Sequence, residues 1–168
     1  MIKVISVIGF SGSGKTFFIL NAIGLLKKNL NFNVAVIKNI HEHQIDQEGK
    51  DSYEFSRYGA KYSITKNQNN ETTVFIRSEL SIEKTIEWIS RGPFKIDLIF
   101  IEGFRNLHFP TVLCLRGKDE LESQISSNVK VISGTICSNK SINFPDLKIP
   151  LIDVKKDFIR FLEIFGIK

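Results

Sequence analysis

Between a short run of β-branched residues, 3–8 (KVISVI), and a long apolar run starting at Lys15 lies GFSGSGKT, Gly9 to Thr16. It matches the pattern G-x-x-x-x-G-K-[ST]. The pattern constrains the fold because its chemistry needs a buried strand before it and a helix after it. The glycines let the backbone wrap an anion, and the amides of the loop and of the helix N-terminus point inward. Gly9, Ser11, Gly12, Ser13 and Gly14 are the expected cradle. Lys15 is expected to reach the β- and γ-phosphates, and Thr16 to offer its hydroxyl to Mg²⁺. The ligand this implies is a nucleoside triphosphate with Mg²⁺.

The rest of the chain fits that frame. Residues 15–28 suit a helix, apolar around most of its circumference and so deeply packed. Residues 33–38 (NVAVIK) form a second strand, which implies a parallel pair with the first and a right-handed crossover. Asp51 and Glu54 read as a capping box for a short helix that stops at Gly59. Residues 61–65 and 72–76 read as a hairpin around the Asn-rich stretch 66–72. Ser81 caps a helix with Ile82, Ile86 and Ile89 on one face, ended by Gly92-Pro93. Strands follow at 96–101, 111–115, 129–137 and around 151–153, and a last helix runs from about Lys156 to Phe165. The predicted class is α/β: a three-layer sandwich on a mostly parallel, mixed sheet with the P-loop NTPase fold, and one domain over 1–168.

Composition excludes several other classes. The net charge of +5 is carried by scattered lysines and arginines, which argues against a nucleic-acid-binding face. No apolar stretch is long enough to span a membrane, and the N-terminus lacks the features of a signal peptide. Cys114 and Cys137 form no CxxC pair and read as two buried thiols in a reducing, cytoplasmic setting.

A phosphate loop needs a carboxylate near the metal. Ligands of open α/β sheets lie beyond the carboxyl ends of the strands. In IDLIFIE, 96–102, Asp97 opens the strand and Glu102 closes it, so Glu102 is the expected Mg²⁺ partner, with Gly103 beside it allowing close backbone approach. Residues 39–52 (NIHEHQIDQEGKDS) leave a strand at the same edge. His41 and His43, two apart, would share one face of an extended segment. They suit a shared metal, contact with phosphate or substrate, or a plain surface. Asp46 suits Mg²⁺ or the positioning of a water, and Lys50 an anion.

In order, GFSGSGKT, K-x-x-H-x-H, D-x-x-G-K-D-S, Tyr58-Gly59-Ala60 and E-G-F-R at Glu102 to Arg105 resemble the molybdopterin-guanine dinucleotide biosynthesis protein B family. The resemblance runs from residue 2 to about residue 115, with a weaker match onward. It implies a GTP-binding accessory protein, often a homodimer, with weak hydrolysis, that assists a partner molybdenum cofactor guanylyltransferase in joining GMP to molybdopterin. It implies that Lys15 and Thr16 serve phosphate and metal. It also implies that His41, His43, Asp46, Lys50, Asp51 and Ser52 belong to the active-site segment, flanked by Glu102 and Arg105. With Asp46 and Glu102 as the catalytic candidates, the chain is at most a slow GTPase. A small-molecule kinase is the alternative; the six arginines are scattered and form no lid over a transferring phosphate. A third reading is a metal-delivery GTPase using His41 and His43.

Guanine-reading loops of P-loop GTPases pair an Asp with the base. Here Cys137-Ser138-Asn139-Lys140-Ser141 is followed by Ile142, so Asn139 is the candidate base reader, with an amide where a carboxylate is usual. GTP is therefore expected to be preferred to ATP only modestly. Asn139→Asp should raise the GTP/ATP affinity ratio in a competition binding assay. An unchanged ratio places base reading elsewhere.

Overall fold

The computed structural model describes residues 2–40, 44–138 and 148–168. The elements, in chain order, begin with β1 (Lys3–Ile8), α1 (Lys15–Leu30), β2 (Val34–Lys38), α2 (Asp51–Arg57), β3 (Ser63–Lys66) and β4 (Thr72–Phe75). They continue with α3 (Ile82–Ser90), β5 (Leu98–Glu102), β6 (Thr111–Cys114), β7 (Val129–Ser133) and α4 (Phe158–Phe165). Two 3₁₀ turns lie at Lys118–Glu120 and Thr135–Ser138. The chain forms two compact units: Met1–Asn39 with Trp88–Lys168, and Ile40–Glu87. Among the described residues no helix is long and apolar enough to cross a membrane.

The first unit is built on a sheet of order β2-β5-β1-β6-β7, with every pairing parallel. β1 and β2 are therefore parallel but not paired. β5 lies between them, with Lys3 beside Leu98 and Val34 beside Leu98 on its other side. All five residues of β5 are buried, as expected of a strand covered on both faces. The strand expected over 129–137 ends at Ser133, because Gly134 adopts φ 99° and the chain turns into a 3₁₀ helix. The strand expected around 151–153 is one parallel bridge, Ile132 to Leu151.

One face of the sheet carries the main core: Ile5, Val7, Leu98, Phe100, Val112 and Val131 pack with α1 and α4. A smaller cluster gathers Leu113, Leu115, Ile132 and Ile136. α1 buries one stripe, Phe18, Ile19, Ala22 and Leu26, but Phe17 and Leu20 are exposed, so it is less enclosed than its composition suggests. Asn31 closes it in the left-handed conformation, at φ 53°.

α4 supplies an aromatic ladder. Phe161 is fully buried, with its ring centroid 5.8 Å from Phe18, 6.4 Å from Phe158 and 5.1 Å from Phe165. A helix this rich in apolar residues could face a partner or the chain's own core. The structure spends that surface on its own core: Phe158, Phe161 and Phe165 are buried, Leu162 and Ile164 pack against them, and Ile159 is exposed.

The second unit holds α2 and the antiparallel hairpin β3–β4. The Asn-rich loop works as anticipated: Asn67 Oδ1 accepts from the amides of Asn69 and Glu71 at 2.9 and 3.0 Å, and Asn70 is left-handed. The capping box does not form. The N-cap position falls on Lys50, which has extended backbone, and Asp51 is already helical, so its carboxylate makes no cap. Ser81 does cap α3, its Oγ accepting from the Lys84 amide at 3.3 Å.

Phe161→Ala should lower the unfolding free energy by about 3–5 kcal/mol, because it empties the ring's place among three other phenylalanines. Ile159→Ala should change it by no more than about 0.5 kcal/mol. Urea denaturation of both variants measures the contrast.

Candidate functional site

The loop between β1 and α1 is a backbone construction. Gly9, Gly12 and Gly14 all have positive φ, at 146°, 74° and 92°. A Cβ on Gly9 would lie 2.3 Å from the Cys114 carbonyl oxygen and 2.5 Å from Ser13 Oγ, so nothing larger than glycine fits. The loop rests on the turn after β7. The Thr135 amide donates to the Ser13 carbonyl at 3.0 Å, and a Cβ on Gly134 would lie 2.3 Å from that same oxygen. Ser13 Oγ is buried and has no hydrogen-bond partner among the described residues, an orphaned donor inside the loop.

Lys15 does not point freely to solvent, as the motif alone suggests. Its Nζ donates to the carbonyls of Gly9 and Phe10 at 2.9 and 2.8 Å and lies folded over the loop. An ammonium has three donors, which leaves one for an anion. Thr16 Oγ1 donates to Glu102 Oε1 at 3.0 Å, and Lys38 Nζ lies 3.6 Å from the same oxygen. Glu102 is only 5% exposed, so this carboxylate is held among a hydroxyl and a cation at the carboxyl end of β5. Asp97 sits at the other end of β5, accepting from the Asn33 amide at 2.9 Å. Glu102 and Asp97 thus lie at opposite ends of the strand, with Glu102 at the end nearer the loop. Gly103 has φ 89°, and a Cβ there would lie 3.3 Å from the Asn39 side chain, so the chain itself accounts for this glycine.

Arg105 lies 5.0 Å over the ring of Phe10 in the loop and donates to Gln124 Oε1 at 2.9 Å. Gln124 is buried, and its amide donates to the Glu120 carbonyl at 3.3 Å. The first unit therefore brings together Lys15, Thr16, Glu102 and Arg105. Sequence reasoning gave no role to Lys38, although it opens the K-x-x-H-x-H motif, and missed Gln124 and Gly134. A basic residue ending a strand and a glycine just after one were visible signals for the first and third; Gln124 had none.

Asp46, Lys50 and Asp51 belong to the second unit. Asp46 Oδ1 accepts from Ser52 Oγ at 2.9 Å, and Ser52 is buried. His41, His43 and Asn139 lie outside the described residues. Among the described residues no group of three or more His, Cys, Asp or Glu could hold a metal. Cys114 is buried and Cys137 half-buried, and burial pushes both thiols up from their ordinary range. The arrangement at the loop suits a polyphosphate. It offers an orphaned buried hydroxyl, a lysine, and a hydroxyl–carboxylate pair of the hard-oxygen kind that Mg²⁺ selects.

A mostly parallel sheet with flanking helices and a glycine-rich loop from its first strand into its first helix defines a P-loop NTPase-like α/β protein. The family model of MobB, molybdopterin guanine dinucleotide synthesis protein B, matches residues 4–137, and the chain belongs to that family. A relative from Methanocaldococcus jannaschii is 34% identical over 122 residues, covering 70% of this chain and 49% of that protein. The molybdopterin-guanine dinucleotide biosynthesis adapter protein of Haemophilus influenzae is 30% identical over 119 residues, covering 68% of this chain and 64% of its own length. The adapter protein of the same name from Escherichia coli is 26% identical over 154 residues, covering 88% of this chain and 86% of its own length. The chain thus spans about half and just under two thirds of the first two. The crystal structure of Bacillus subtilis MobB shares the fold, with a TM-score of 0.73 at 24% identity, covering 97% of this chain and 98% of that one.

Lys15→Ala removes the one cationic donor the loop carries. Charge-assisted hydrogen bonds contribute about 1.5–3 kcal/mol each, so triphosphate affinity should fall by at least about tenfold. The melting temperature without nucleotide should fall only modestly, through loss of the two hydrogen bonds from Lys15 to the loop carbonyls. Calorimetric titration beside a thermal melt measures both, and unchanged affinity refutes the assignment.

Proposed function

We propose that the chain is a GTP-binding adapter in the biosynthesis of molybdopterin-guanine dinucleotide. In this reading the loop Gly9 to Thr16 holds the triphosphate of GTP. Lys15 pairs with its terminal phosphates. Thr16 and Glu102 hold Mg²⁺, which would draw charge from the phosphate oxygens. The single observation that carries the reading is the Thr16–Glu102 contact beside a glycine-walled loop, in a chain of the MobB family. The names of the Haemophilus and Escherichia relatives supply the pathway, and family membership favours an adapter over a small-molecule kinase.

Hydrolysis is slow in this reading. Arginine fingers contribute about 10³–10⁵ in rate. The arginine beside the loop, Arg105, is engaged with Phe10 and Gln124. Glu102 is the carboxylate proposed to hold the metal, and Asp46, in the second unit, is proposed to order water or a second ligand. His41, His43, Lys50, Asp51 and Asn139 are proposed to serve phosphate, base or a second ligand. The working form is a cytoplasmic homodimer, and its partners are molybdopterin and the guanylyltransferase that joins it to GMP.

The test mixes the full chain with labelled GTP, Mg²⁺ and the guanylyltransferase, and adds acceptors one at a time. Guanylylation of molybdopterin by the partner should rise when the chain is present, and label should stay off other acceptors. Rapid transfer of label from GTP to a nucleoside, sugar or coenzyme precursor by the chain alone would make it a kinase and end the adapter reading.

A further inference from the structure

The second unit contains a cavity of about 550 Å³ whose walls include Ile45, Val74 and Ile76 and whose polar groups include Asp46, Tyr53 and Arg77. Small-molecule pockets typically run about 300–1,000 Å³ and combine apolar walls with a few placed polar groups. Two of the polar groups are fixed in advance. Asp46 Oδ1 is held by the hydroxyl of the buried Ser52 at 2.9 Å, and among the described residues its other oxygen receives no hydrogen bond. The guanidinium of Arg77 lies over the Tyr53 ring, its Cζ 4.0 Å from the centroid, and donates from Nη2 to the Tyr53 hydroxyl at 2.9 Å. Tyr53 thus covers one face of this cation. No carboxylate pairs with it among the described residues.

A carboxylate and a guanidinium facing one cavity narrow the class of ligand. A bare phosphate is repelled by Asp46, and a simple cation by Arg77. A purely apolar ligand would leave the free oxygen of Asp46 and the remaining donors of Arg77 unmatched. A neutral planar heteroaromatic ring with adjacent N–H and NH₂ donors on one edge satisfies all the walls. Those donors pair with the carboxylate. The ring stacks on the guanidinium plane, a contact to which arginine is suited and lysine is not, and its faces meet the aliphatic walls. We infer that this cavity is a binding site for a 2-amino-4-oxopyrimidine ring, the chemistry that pterins and guanine share, with Asp46 reading the amino edge and Arg77 the ring face. The inference deepens the adapter reading, and its pterin arm rests on that reading.

Two probes without phosphate distinguish the sources: neopterin, followed by its fluorescence, and guanosine, followed by calorimetry, each titrated into the full chain. Neopterin, guanosine or both should bind. Asp46→Asn keeps an acceptor for Ser52 but loses the charge, and should weaken binding by about tenfold or more. Arg77→Lys keeps the charge, loses the plane, and changes an exposed side chain, so it tests the pocket even if the first variant folds poorly. It too should weaken binding several-fold. Where neopterin is the tighter probe, affinity for a non-hydrolysable GTP analogue should be unchanged in Arg77→Lys. Neopterin as the tighter probe makes the site a pterin site, and guanosine as the tighter one makes it a guanine site. Failure of both probes to bind, or binding indifferent to both substitutions, overturns the inference and leaves nucleotide binding at the loop untouched. Binding that passes this test while molybdopterin guanylylation is not stimulated keeps the cavity and overturns the adapter reading.

Discussion

Everything proposed for the phosphate loop depends on backbone packed against backbone at distances no side chain permits. Gly9 rides on the carbonyl of Cys114, and Gly134 lies against the carbonyl of Ser13. Two strands distant in sequence, β6 and β7, thereby hold the loop from below while β1 and α1 hold its ends. The Thr135 amide bonded to Ser13 completes the seat. The left-handed conformations at Gly9, Gly12 and Gly14 carry an entropic cost of ordering that glycine makes larger than any other residue would. Contacts drawn from the whole width of the sheet offset it.

The parallel sheet does the rest of the positioning. Because β1, β2 and β5 run the same way, their carboxyl ends meet at one edge, and there Lys38, Glu102 and Thr16 converge. A buried carboxylate needs hydrogen-bonding partners, and here the Thr16 hydroxyl and the Lys38 ammonium supply them. A Mg²⁺ ion held as proposed would rearrange these same groups, one of which lies at the end of β2.

What was legible in the sequence was local. The loop, the strand before it and the helix after it announce themselves through glycine spacing and apolar runs, and the choice of Glu102 over Asp97 followed from strand direction. What was illegible depends on partners far along the chain. That β5 enters between β1 and β2 leaves no trace in the run of residues 3–38, since both strands read as buried either way. The importance of Gly134 and Gln124 exists only once β7 and the segment after β6 are folded beside the loop. α4 shows the same limit from the other side: its phenylalanines are equally suited to a partner's surface and to the chain's own core, and only Phe18 and Phe100 decide. Asp51 failed as a cap by one position, because backbone conformation at Lys50, not side-chain type, set where α2 begins.

The strand order has a consequence for how the chain assembles. β1 finds its first neighbour, β5, only after a long excursion through the residues of the second unit, so Lys3 waits for Leu98. Closing such a loop costs entropy before any pairing rewards it, and sheets of this kind form slowly. The hairpin β3–β4, by contrast, joins residues a few positions apart. During synthesis the excursion can therefore order while β1 still shows unpaired edges on both sides, an interval in which a nascent chain is exposed to misassociation. Emergence of Leu98–Glu102 covers one of those edges and emergence of Thr111–Cys114 the other, which ends the interval, and Glu102 arrives with the first of the two strands.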